Sequence, residues 1–131
     1  GLPVNLSLAD AKGSFGASKV EVSAEFLYQD AECKDGYDVE LGIFYVASVT
    51  TFESGNQLFG FSNQGWMCLN TDNGHYYGHV DGIFGGGTGK FAGATGEWMT
   101  DFDGQNLEPA SLIPVGFRSI AGVIKGNVVF P

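Results

Sequence analysis

The stretch GGGTGKFAGATG, Gly85 to Gly96, decides between two kinds of protein. Glycines around a lone lysine are what a phosphate-binding loop requires, and such a loop would place the chain among the α/β nucleotide-binding folds. The P-loop pattern, G-x-x-x-x-G-K followed by Ser or Thr, fails at both ends: with Gly89-Lys90 as its GK, the first position is Phe84 and the last is Phe91. A dinucleotide fingerprint can be read formally as Gly87, Gly89 and Ala92, but that motif works only where a strand enters a helix, and here FAGATGEW follows with two further glycines. The stretch reads instead as a hairpin. A turn at GGGTG uses positive φ, and Phe91, Gly93, Thr95 and Glu97 then alternate with Ala92, Ala94 and Trp98 along a new strand whose start, Lys90, is solvated.

Working outward, alternation with period two recurs on both sides of this hairpin. In SKVEVSAEFLY, Val20, Val22, Ala24, Phe26 and Tyr28 share one face, while Glu21, Ser23 and Glu25 take the other. DVELGIFYVASVTTF, QLFGFS, GWMCLN, HYYGHVDGIF, KFAGATGEWMT and FRSIAGVIKGNVVF behave alike, the last being long enough for two strands with a break near Gly122 or Lys125 to Asn127. Turn clusters separate them: DAECKDG, ESGNQ, NTDNG, GGGTG, DFDGQN and the stretch from Pro109 to Pro114. No segment keeps a helical apolar period. The pattern predicts an all-β fold of about seven or eight antiparallel strands, a closed barrel or a sandwich. Glycines inside strands, among them Gly42, Gly60, Gly78, Gly93 and Gly122, favour the barrel, because corners need a residue without Cβ.

With 131 residues and no shift in composition, residues 1–131 are expected to form a single domain. Twenty-one glycines, 44% apolar residues and 14% aromatic ones supply a β core. A net charge of -9 repels a phosphate backbone, so nucleic acid and anionic membrane surfaces are excluded as partners. No apolar run reaches membrane-spanning length, and GLPVNLSLADAKG lacks the features of a signal peptide, so a soluble, mature chain without membrane insertion is expected. Cys33 and Cys68 allow one disulfide or two thiols, and the polar setting of Cys33 in DAECKDG leans toward a disulfide and a secreted or extracytoplasmic home. Asn5-Leu6-Ser7 fits a glycosylation sequon too short to carry weight.

The run GGTGKFAGATGEW resembles the G-G-T-G-x-F/Y-x-G-A-x-G hairpin of the allene oxide cyclase and dirigent barrel superfamily, including its bacterial secreted members. FSNQGWMC upstream resembles the strand ending in Gly-x-Cys that precedes this hairpin in bacterial members, and IAGVIKGNVVFP resembles the final barrel strands. These cover roughly residues 40 to 131. The resemblance implies a closed antiparallel barrel of about eight strands, calycin-like, with an apolar cavity. It also implies binding of a small apolar or amphipathic ligand and allows a homo-oligomer, dimer or trimer. Members either steer cyclisation or coupling of a reactive molecule, as a cyclase or isomerase, or have no known role; a non-catalytic carrier or a structural barrel is the alternative. No catalytic residue transfers through the hairpin motif.

Among polar residues, His75, Tyr77, His79 and Asp81 of HYYGHVD would share one strand face. That face either lines a cavity or faces solvent with Tyr76, Gly78 and Val80 inward. The two histidines stand about 13 Å apart at ~3.3 Å per residue, too far to share a metal ion, and no metal or cofactor is expected. Asp101 and Asp103 begin a D-x-D-G pattern without the remaining calcium ligands, which reads as a turn. Arg118 shares a face with Ile120 and Ile124 and is either an outward partner for carboxylates such as Glu25, Glu40 or Glu97, or an inward anchor for a ligand anion. No nucleophile elbow or triad spacing is present. As a cyclase, the candidate catalytic groups are Tyr77, His79, Glu97 and Arg118, acting on developing charge, while Tyr45, Trp66, His75 and Trp98 would contact the ligand.

Overall fold

The computed structural model describes residues 4–106 and 117–131, with side chains described over 10–105 and 124–131. It is all-β: β1 (Val4–Gly13), β2 (Gly16–Tyr28), β3 (Val39–Phe52), β4 (Gln57–Leu69), β5 (His75–Gly87), β6 (Thr95–Asn106) and β7 (Phe117–Val129). Each strand pairs antiparallel with the next, so the sheet is a meander in the order β1-β2-β3-β4-β5-β6-β7. Among the described residues the expected closed, eight-stranded barrel is not formed. The seven strands make an open half-barrel whose two edges are β1 and β7. The strand count differs for a local reason: QLFGFS and GWMCLN join into the single strand β4, the final run is the single strand β7 without a break, and β1 adds a strand that the turn signals did not mark.

Alternation places the core on the inner face. Val22, Ala24 and Phe26 of β2 meet Leu41, Ile43 and Val46 of β3, Met67 and Leu69 of β4, Tyr76 and Val80 of β5, and Trp98 of β6 in one apolar cluster. On β3 the inward parity changes between Ile43 and Val46, because Glu25 pairs with Tyr45 while Phe26 pairs with Ile43, leaving Phe44 as the extra residue of a bulge. The cluster therefore fills the inner side of β2 to β6 with packed side chains.

The β5–β6 ladder pairs rings with glycines. On the inner face Tyr76 stands opposite Gly104, Phe102 opposite Gly78, and Trp98 opposite Gly82. A Cβ at any of these glycines would overlap the ring across from it, so each ring lies flat over its neighbour's bare backbone. The Trp98 indole is fixed in that position by its Nε1, which donates to the Ile83 carbonyl at 2.8 Å.

The glycine-rich stretch is a hairpin connection, as read, but longer than the sequence suggested. β5 continues through Gly87 and β6 begins at Thr95, so Phe91 sits in a one-turn 3₁₀ helix, Gly89–Phe91, instead of on a strand. The turn is pinned to the start of β4: the Thr88 N–H donates to the Gln57 carbonyl at 2.8 Å and Thr88 Oγ1 accepts the Gln57 N–H at 2.9 Å. Phe91 is thereby driven wholly inward, where it packs with Leu58, Ala94, Phe52, Phe84 and Val128 and plugs one end of the half-barrel. Lys90 is exposed, with its Nζ 5.2 Å and 5.0 Å from the ring centres of Phe15 and Phe91. No helix among the described residues is long and apolar enough to cross a membrane.

The ring-over-glycine packing has a direct consequence. Gly82→Ala is expected to destabilise the fold by about 1–3 kcal/mol through overpacking against Trp98, whereas Gly13→Ala, whose Cβ would meet nothing within 4 Å, is expected to stay within about 0.5 kcal/mol of the parent. Urea denaturation midpoints of the two variants check the contrast.

Candidate functional site

Period two sends the polar half of HYYGHVD outward. His75, Tyr77, His79 and Asp81 lie on the outer face of β5, opposite Tyr76, Gly78 and Val80, which face the core. This is the solvent-side alternative of the two readings. The chain from Gln29 to Asp38, between β2 and β3, crosses this outer face and is anchored there by a Cys33–Cys68 disulfide. Cys68 alternates away from the core and is nonetheless fully buried.

Three further contacts hold the loop. The Lys34 N–H donates to the Tyr77 hydroxyl at 2.8 Å, and Lys34 Nζ stands 4.7 Å from the centre of the Tyr77 ring. The Tyr37 hydroxyl hydrogen-bonds His75 Nδ1 at 2.6 Å, and its ring meets that of Tyr77 edge-on at 4.8 Å. Thr71 gives both its N–H and its hydroxyl to Asp38, which holds the Asp38 carboxyl below its ordinary value. Rings thus form a continuous row: His75, Tyr37, Tyr77, Trp66 and His79, with Trp66 edge-on to Tyr77 at 5.7 Å and stacked on His79 at 6.5 Å.

Carboxylates from β6 line the far side of this row. Asp101 and Asp103, expected in a turn, are strand residues, because β6 runs through them to Asn106. In the ladder His79 pairs with Asp101 and Tyr77 with Asp103, while His75, opposite Gln105, reaches Asp103 diagonally. His75 Nε2 meets Asp103 Oδ1 at 2.8 Å. His79 is bound on both nitrogens, Nδ1 to Asp101 at 2.7 Å and Nε2 to Asp81 at 3.0 Å. The hydrogen bond to Asp101 foremost, and then the Asp81 carboxylate, outweigh partial burial and raise the His79 pKa. On the inner face, burial and then the Asp103 charge push the Tyr76 phenol up to about 12.

Beside the row lies a cleft of about 510 Å³ lined by Tyr45, Phe61, Gln64, Asp81, Ile83, Glu97 and Trp98 among others. It exists because pairing lapses. The β3–β4 ladder skips from Gly42 opposite Trp66 to Val46 opposite Ser62, and the β4–β5 register shifts between Phe61 and Gln64. Ser62, buried at the gap, stitches it: its hydroxyl donates to the Asp81 carbonyl and accepts the Gln64 N–H at 3.0 Å. A second recess of about 470 Å³, at the loop junction, is lined by Tyr28, Gln29, Asp30, Asp38 and Glu40 and offers an apolar wall only at Tyr28.

The candidate residues fall into two adjoining groups. Trp66, His75, Tyr77 and His79 join in the aromatic row, while Tyr45, Glu97 and Trp98 meet at the cleft, and Asp81 touches both. The backbone keeps Arg118 away from the cleft: it pairs with Gln105, itself opposite His75 at the end of the aromatic row, while Glu97 pairs with Asn127, eight residues away along β6. The Arg118 side chain lies outside the described residues. Phe61, Ser62 and Ile83 escaped sequence reasoning, although continuing the alternation of HYYGHVDGIF would have placed Ile83 beside Asp81. Among the described residues no three His, Cys, Asp or Glu side chains assemble into a metal-binding group. No protein family, curated protein or solved structure matches this chain.

Two outcomes follow from this geometry. The folded pKa of His79 exceeds its ordinary value of 6.5, so its contribution to stability is complete below that value and is lost as pH rises through the raised one. NMR titration is expected to give a His79 pKa above 6.5 that falls back in Asp101→Asn. The disulfide closes a segment with a sequence separation of 35. Paired Cys33→Ser and Cys68→Ser replacement is expected to lower unfolding free energy by about 3–4 kcal/mol, the chain-entropy value for a loop of that size, as read by urea denaturation.

Proposed function

We propose that this chain is a small-molecule-binding β-domain working outside the cytoplasm, and that its ligand sits in the outer-face cleft beside Asp81. One observation carries the reading: three large side chains that would ordinarily be covered, Tyr45, Phe61 and Ile83, stand exposed around a single recess that Trp98 also lines. Binding sites are mostly apolar with a few placed polar groups, and Asp81, Glu97 and Gln64 are such groups here. The packed inner face leaves the outer face as the side on which an apolar or amphipathic molecule finds shaped room. The disulfide is compatible with an oxidising compartment, which supports the extracytoplasmic part of the reading.

A second reading, a cyclase or isomerase of the allene oxide cyclase or dirigent kind, is favoured by the resemblance of the hairpin motif GGTGKFAGATGEW. In that reading Glu97 stabilises developing charge at the cleft. Tyr77 and His79 support it less directly, because the Tyr77 hydroxyl already accepts the Lys34 N–H and both His79 nitrogens are held by carboxylates.

Protein-observed NMR with a library of small apolar and amphipathic compounds tests the binding reading. Chemical-shift changes are expected to cluster at residues 61–64 and 81–83 and to vanish in Ile83→Asp. Changes that scatter over the surface, or that survive unaltered in Ile83→Asp, overturn it.

A further inference from the structure

The walls of the cleft carry one sign of charge, and this specifies the ligand more closely. Asp81 and Glu97 both line it, and among the described residues no lysine, arginine or histidine does. Glu97 makes no hydrogen bond or ion pair among the described residues and is exposed, so its carboxylate faces the recess without a protein cation. Asp81 Oδ2 is paired with His79 Nε2, but His79 is shared with Asp101, and this trio holds two carboxylates against at most one imidazolium charge. The trio is therefore negative even with His79 protonated. Glu25 stands directly across from Tyr45 in the β2–β3 register and adds to the same field. The nearest lysine in the register, Lys125, faces Met99 and forms no salt bridge with either cleft carboxylate. The whole chain carries a net charge of -9, so the long-range field has the same sign.

The remaining lining is aromatic and aliphatic. Tyr45, Phe61 and Trp98 present rings, and Ile83 presents branched carbon. Rings attract cations through their negative faces, and carboxylates attract them by charge, so both features select against an anion and favour a cation with hydrocarbon attached. A bare metal ion is poorly served, because hard cations need several converging oxygens and would leave the exposed rings uncovered.

We infer that the ligand of this cleft is an organic cation with an apolar body, an amine or a quaternary ammonium. The charged nitrogen lies between Asp81 and Glu97, and the apolar body covers Phe61 and Ile83. The inference rests on the binding reading above, which fixes the place but not the charge of the ligand.

Three probes with the same phenylbutyl body separate the two: 4-phenylbutylamine, 4-phenylbutanol and 4-phenylbutyrate, each titrated into the intact disulfide-bonded protein at pH 7 and followed by NMR at residues 61–64 and 81–83. The amine is expected to bind at these residues about tenfold more tightly than the alcohol, the carboxylate more weakly than either, and the preference for the amine to shrink as salt is raised. Glu97→Gln, at an exposed position, is expected to bring the amine to within about twofold of the alcohol. If the alcohol binds the cleft as tightly as the amine, or Glu97→Gln leaves the amine's advantage intact, the charge inference is overturned and the binding reading stands. If none of the three perturbs the cleft, both are overturned.

Discussion

The stacking of aromatic rings on glycine backbone along the β5–β6 ladder is the contact on which the rest of the architecture depends. Trp98 over Gly82, Phe102 over Gly78 and Tyr76 over Gly104 let three large rings lie flat against the inner face, where any Cβ would lift them. Lying flat, they complete an apolar cluster with side chains from β2, β3 and β4. Dense interiors of this kind tolerate little added volume. The inner side is thus filled by the protein's own side chains, and polar chemistry is displaced to the opposite face.

That opposite face is organised by different forces. A disulfide and a set of hydrogen bonds hold the segment from Gln29 to Asp38 against β4 and β5, although none of this belongs to the sheet's own ladder. Each histidine of β5 meets an aspartate of β6 across the strands, a pairing that costs little desolvation because the groups remain partly exposed. Asp81 joins this network to the cleft. The cleft itself is a fault in strand pairing, kept open where β4 shifts register and sealed beneath by the Ser62 hydroxyl. Rings and carboxylates that would be unremarkable on a regular sheet become a recess because the backbone parts there.

Much of this was legible in the chain. Period-two alternation in SKVEVSAEFLY and HYYGHVDGIF sorted the side chains of β2 and β5 into two faces without saying which face of β5 is inward, and the failed phosphate motifs at Gly85–Gly96 correctly turned a suspected nucleotide loop into a hairpin. These succeed because side-chain direction along a strand depends only on neighbours in sequence. The disulfide was favoured from the polar setting of Cys33. What failed was whatever depended on distant partners. DFDGQN carries turn residues, yet becomes strand because His75 and His79 across the ladder receive its aspartates. Phe91 alternates as a strand residue should, yet is drawn into a turn that buries it under Leu58 and Phe52.

The divide is therefore one of range. Composition and alternation alone dictated an all-β domain, an acidic surface and a polar stripe on one face of β5, since each follows from local chemistry. Tertiary structure alone decided that the sheet stops at a half-barrel, that the stripe faces outward, and that Tyr45, Glu97 and Trp98 meet at one cleft. Closure, register shifts and lapses in pairing arise from rings, bulges and hydroxyls separated by tens of residues, and no local pattern encodes which of them will meet.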